Sequence, residues 1–135
     1  VDSGIPPRIA AAISAHLQPD DVLVCQLAVG SHVDHILVRQ SLELLGYPLR
    51  YDIDVPYIFY KSEELESKAA GLKESIHSIT ETGLHFWKDA AAEYRSQFVG
   101  LGEAFDTPEK AQAAIHAYWA ERKGIRLLSR RAGWR

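Results

Sequence analysis

The chain holds a single cysteine and no methionine in 135 residues. Cys25 alone allows no internal disulfide, so the fold must rest on its core, and a reducing compartment, the cytoplasm, is the expectation. No apolar run approaches the roughly 20 residues that a membrane-spanning helix needs, and no signal peptide is visible. A chain without methionine that opens at Val1 is read as processed or truncated. Excess charge of one sign is also missing. A formal net charge of −3 argues against a nucleic-acid surface spread over the whole domain. The one basic crowd, Arg122, Lys123, Arg126, Arg130, Arg131 and Arg135, is read as a solvated tail. Repeats, low-complexity tracts and linkers are absent, so residues 1–135 are taken as a single domain fragment with chain enough for one core.

What is present alternates between strand-like and helix-like patterns. "PPRIAAAISAHL" spaces Ile9, Ile13 and Leu17 by four behind Pro6 and Pro7, which are helix-start residues. "QPDD" turns the chain. "VLVCQLAV", from Val22, is a nearly continuous apolar run, as in a strand buried on both faces of a parallel sheet. From His32 the apolar positions suit a helix packed on that sheet and ended by Gly46. "LRYDIDV" alternates like a second strand until Pro56. Strand, helix and strand over Val22 to Val55 make the right-handed crossover unit of an α/β fold. "KSEELESKAAG" reads as a charged loop or short helix, and "LKESIHSIT" as an edge strand. Further helices are expected at Thr82–Phe98 and at Thr107–Lys123, the second opened by a threonine cap and Pro108.

The chemistry-bearing residues gather in "GSHVDH". Ser31 and Asp34 have the spacing of a capping box. With Ser31 as the cap, His32 and His35 fall three apart in the first turn, on one face. That turn lies at the carboxyl end of the preceding strand, where open α/β sheets bind ligands. Neutral imidazole is the form that ligates zinc, and a neighbouring carboxylate can fix its tautomer. Two readings stay open on these residues alone: a capped helix with a surface histidine pair, or half of a metal site. "AHLQPDD" offers a second histidine with carboxylates, but Asp20 and Asp21 precede the strand and are read as a polar turn, roughly a strand length of 20 Å from His35.

The segment "PDDVLVCQLAVGSHVDHILVRQSLELLG" followed by "YDIDVPYIFY" resembles the PIG-L, or LmbE-like, family of zinc-dependent N-acetylglucosaminyl deacetylases. Gly30, His32, Asp34 and His35 keep the family's G-G-H-x-D-H pattern, with Ser31 at its second glycine. Asp54, Pro56 and Tyr57 keep its Y-E-D-x-P-Y pattern, with Asp52 and Ile53 in place of Tyr and Glu. "KDAAAEYRSQ", Lys88 to Gln97, is similar to its K-x-x-A…Y-x-S-Q helix. The resemblance spans about Asp20 to Leu101 and implies a Rossmann-like three-layer α/β sandwich with a mostly parallel sheet, incomplete in this chain. It further implies His35 as a zinc ligand, His32 as the histidine that stabilises or protonates the tetrahedral transition state, and Asp34 as the residue that orients His32. Tyr57, Tyr94 and Gln97 match motif positions and are expected in the core. The family's A-H-P-D-D-E loop, with two further zinc ligands and a base, is absent. The resemblance therefore implies an N-deacetylase of amino sugars or their conjugates, with this chain supplying half of the site. An amino-terminal segment or companion chain would supply the rest, and self-association is left open. A non-catalytic binding or scaffold protein that lost the catalytic loop is the competing expectation.

Overall fold

The structure, a computed structural model, describes residues 4–100, 102–103 and 105–130. In chain order the elements are α1 (Ile5–Ser14), β1 (Leu23–Gln26), α2 (Val33–Glu43), β2 (Leu49–Asp52), α3 (Leu65–Lys68), β3 (Leu72–Ser78), α4 (Glu81–Ala92), α5 (Pro108–Arg122) and β4 (Gly124–Arg130). Short 3-10 turns stand at Tyr57–Phe59, Ser62–Glu64 and Arg95–Gly100. The four strands form one open sheet in the order β1-β2-β4-β3. The fold class is α/β, and "LKESIHSIT" does supply an edge strand, β3. No helix among the described residues is long and apolar enough to cross a membrane.

The chain divides into two compact units, Val1–Ser75 with Leu127–Arg135, and Ile76–Arg126. The first holds the crossover unit. β1 and β2 pair in parallel with Cys25 opposite Tyr51, and α2, between them in sequence, packs on β1. The expected parallel pairing holds for β1 and β2. β4 joins β2 antiparallel, with Tyr51 opposite Leu128. A further correction concerns β1, read as buried on both faces. Val22 and Val24 are about half exposed, because β1 stands at the sheet edge and only its Cys25 face is covered.

The basic carboxyl-terminal stretch is also corrected. Residues 124–130 are not a solvated tail but β4, inserted between β2 and β3, with Leu127 and Leu128 buried. Arg131 and Arg135 lie outside the described residues. Leu127 and Leu128 are successive and so lie on opposite faces of the strand, and both are buried, as expected of a strand inside a sheet rather than of a tail. Arg130 reaches Glu43 at 3.6 Å, and Glu43 also takes Arg39 Nε at 3.1 Å and the Tyr51 hydroxyl at 2.8 Å.

In the second unit α4 packs on α5. Leu84, Ala111, Ile115, Tyr118 and Trp119 are buried, and Trp87 meets Tyr118 edge-on. The Thr107 hydroxyl caps α5 by accepting the Lys110 N–H, as its sequence indicates. The helix expected over Thr82–Phe98 ends at Ala92 and gives way to the 3-10 turn. Tyr94 and Gln97 fall beyond that end and are exposed, Tyr94 by 68%, so neither is a core residue.

Candidate active site

All of the candidate residues from "GSHVDH" and "DIDVPY" lie in the first unit, at the carboxyl ends of the two parallel strands. β1 ends at Gln26, and the chain then turns through Leu27–Ser31 before α2. Three of those five residues have positive φ: Ala28 at 65°, Gly30 at 80° and Ser31 at 56°. For alanine and serine this conformation costs roughly 1–2 kcal/mol each, so the turn needs partners to hold it. Each N–H from Leu27 to Ser31 has one. Leu27 N–H donates to Asp52 O at 2.7 Å, and Val29 N–H to Asp54 Oδ2 at 2.9 Å. Ala28 N–H also donates to Asp54. Gly30 N–H donates to Glu64 Oε2 at 3.1 Å, and Ser31 N–H to Ala28 O at 3.2 Å. Gly30 is required for a second reason, since a Cβ there would overlap the Tyr57 ring. Leu27 and Val29 within the turn, and Ile53 just after β2, are fully buried.

The start of α2 differs from the capping box read in the sequence. The cap is His32, whose Nδ1 accepts the Asp34 N–H at 3.3 Å. Ser31 cannot cap, because a cap residue is extended whereas Ser31 is left-handed. Its hydroxyl instead donates to Glu64 Oε2 at 3.2 Å and accepts Lys68 Nζ at 3.1 Å. The Asp34 carboxylate is 3.9 Å from His32 Nδ1 and 75% exposed, so the closer contact to the ring comes from the Asp34 backbone.

His35 sits one turn into the helix and is anchored differently. Its Nδ1 lies 2.7 Å from Oδ1 of Asp54, a carboxylate with no solvent exposure. Asp54 follows the end of β2 at φ 60°. Burial pushes the Asp54 carboxyl above its ordinary value, against hydrogen bonds from Val29, His35 and Ala28. With Asp54 Oδ2 accepting the Val29 N–H and Oδ1 accepting from His35, His35 Nδ1 carries the proton and Nε2 keeps the lone pair. In His32 the arrangement is reversed. Its Nδ1 accepts an N–H, so the neutral ring carries its proton on Nε2. The two rings stand 5.3 Å apart between centroids, and Tyr57 lies 5.3 Å from His35 and 6.2 Å from His32. Asp52, two residues before Asp54, is pushed up to about 6 by burial and then by the Asp54 charge.

The pair thus offers one imidazole lone pair and one imidazole N–H donor on neighbouring rings. A lone-pair nitrogen whose other ring nitrogen is tied to a carboxylate is the usual arrangement of a metal-ligating histidine. Zinc takes at least three protein ligands, and no group of three His, Cys, Asp or Glu side chains able to hold a metal exists among the described residues. The residues present fit one corner of a zinc site. The turn "QPDD" stays apart from this chemistry: it precedes β1, and Asp21 Oδ2 accepts the Gln18 N–H at 2.7 Å.

The contacts of Asp54 and Glu64 around the turn are not announced by the sequence. Asp54 was visible as a motif position without a role. Glu64 and Lys68 sat in a stretch read only as a charged loop or short helix, and nothing local marks their reach of more than thirty residues back to Gly30 and Ser31.

No family model matches the sequence, and no curated protein matches it. Solved structures do share the fold. The chain is similar to teicoplanin deacetylase Orf2 in its zinc-inhibited form, at 20% identity and a TM-score of 0.65, over 96% of this chain and 52% of that one. It is also similar to the A40926 pseudoaglycone deacetylase Dbv21, at 22% identity and a TM-score of 0.63, over 93% of this chain and 54% of that one. The chain spans about half the length of these structures.

Proposed function

We propose that this chain supplies one side of the active site of a metal-dependent N-deacetylase, with zinc as the metal and an N-acetylated amino sugar or its conjugate as substrate. The observation that carries the proposal is the opposite anchoring of the two imidazoles, Asp54 on His35 Nδ1 and the Asp34 N–H on His32 Nδ1. The deacetylase fold of the solved neighbours, one of them described in a zinc-inhibited form, supports it.

In this mechanism His35 would hold the metal through Nε2, and the buried Asp54 keeps that nitrogen's lone pair available. Bound zinc supplies Lewis acidity and an activated water. His32 donates an Nε2–H hydrogen bond to the oxygen that gains charge as the amide carbon becomes tetrahedral, while the proton for the departing amine is the one the base takes from the attacking water. Asp34, through its backbone N–H, fixes the ring that does this. The remaining ligands and the base come from a companion segment, of the same polypeptide or of another chain. A binding protein built on the same fold is the second reading, favoured by the lack of three convergent donors among the described residues.

The test is metal analysis beside steady-state kinetics of the complete enzyme on an N-acetylated amino sugar, with a series of divalent metals. His35→Ala should lose both metal and turnover. His32→Ala should keep its metal and lose roughly a hundredfold or more in kcat, the scale of removing one oxyanion donor, with KM little changed. If both variants keep metal and activity, the histidines only start a helix. If the unaltered enzyme binds metal without turnover, the binding-protein reading stands.

A further inference from the structure

The turn ahead of His32 is held by two carboxylates, and only one of them touches a histidine. Asp54 takes the amides of Ala28 and Val29 and anchors His35 directly. Glu64 takes the next amide, Gly30 N–H, and the Ser31 hydroxyl with the same oxygen, Oε2. Lys68, one turn further along, approaches that oxygen at 3.7 Å and donates to Ser31 Oγ at 3.1 Å. Glu64 and Lys68 are each only about a quarter exposed at the side chain, so the contacts are partly shielded from competing water. Ser31 carries a left-handed φ that a non-glycine residue avoids unless held. The residue held in this way is the immediate neighbour of His32, whose ring accepts the backbone N–H two residues on.

We propose that Glu64, braced by Lys68, is a positioning residue for His32: by clamping Gly30 and Ser31 it fixes the backbone from which His32 accepts the Asp34 N–H, and so keeps the His32 proton on Nε2. Each histidine then has its own carboxylate, Asp54 acting on His35 by contact and Glu64 acting on His32 through the turn. The catalytic consequence rests on the deacetylase proposal, but the effect on the ring does not.

The experiment separates the two. Long-range ¹H–¹⁵N spectra of the 135-residue chain report the imidazole tautomers. In the unaltered chain His32 should show the Nε2–H pattern. Glu64→Ala should move His32 toward a mixture of tautomers and leave His35 unchanged, as an internal control. Glu64→Gln, which keeps an acceptor for Gly30 N–H, should restore most of the original pattern. Should Glu64→Ala fail to fold, Ser31→Ala carries the test. It removes only the hydroxyl contacts and should shift His32 in the same direction by less. An unchanged His32 pattern in the folded variant overturns the proposal, as does an equal change at both histidines. In the complete enzyme Glu64→Ala should lower kcat about tenfold or more with KM nearly unchanged, and Glu64→Gln should recover most of it. A shifted His32 spectrum in an assembly without deacetylase activity would leave the clamp standing and remove the deacetylase reading.

Discussion

Replacing Asp54 by Asn probes the anchor of His35 with little change in shape. Asn tolerates the left-handed backbone that Asp54 adopts at φ 60°, and its volume is nearly the same. Its amide oxygen can still accept from Val29 N–H, but the group facing His35 becomes an NH₂ donor. His35 Nδ1 must then accept, and its proton moves to Nε2, the nitrogen that would hold a metal. A charge-assisted hydrogen bond becomes a neutral one, a loss of about 1–2 kcal/mol. Relief of the buried charge offsets part of it, because burial already raises the Asp54 carboxyl. Folding stability should therefore fall by less than about 2 kcal/mol, whereas metal affinity should fall by roughly 10–100-fold, the usual effect of losing such an outer partner. Urea unfolding of the chain measures the first, and competition with a chelator in the complete enzyme measures the second. Unaltered metal affinity in a folded Asp54→Asn protein would refute the role given to Asp54.

Two further outcomes follow from the same region. Gly30→Ala should destabilise the fold by roughly 2–5 kcal/mol, the sum of a left-handed alanine and an overpacked contact with the Tyr57 ring, and a loss under about 0.5 kcal/mol in urea unfolding would show that the turn yields easily. Asp52 has a folded-state value near 6, above the ordinary 3.8. A raised value means stability that is fully present below about pH 4 and lost as pH rises through 6, by up to about 3 kcal/mol. Asp52→Asn should therefore flatten the stability profile between pH 4 and 7, and a profile as steep as that of the unaltered protein would contradict the burial assigned to Asp52.

The elements that place the site were legible because local signals agreed. The apolar run from Val22, the helix that follows, and the alternating "LRYDIDV" ended by Pro56 give a parallel β1/β2 pair, as the crossover pattern requires. Thr107 and Pro108 mark the start of α5 with equal clarity. The helix cap was misplaced by one residue, since spacing cannot show that Ser31 is left-handed and bonded to Glu64 instead. The β4 strand is hidden under its arginines, because charge count outweighs the short apolar content of Ile125, Leu127 and Leu128 in so brief a segment. Glu64 and Lys68 were illegible for a different reason. Their partners are distant in sequence, and contacts of that kind are set by how the chain returns after β2.

The opposite anchoring of His32 and His35 is tested most directly by the imidazole ¹⁵N spectrum of the unaltered chain near neutral pH. The expected result is different tautomers at the two rings, His35 with its proton on Nδ1 beside Asp54 and His32 with its proton on Nε2. The same tautomer at both rings, or free averaging at His35, would contradict it.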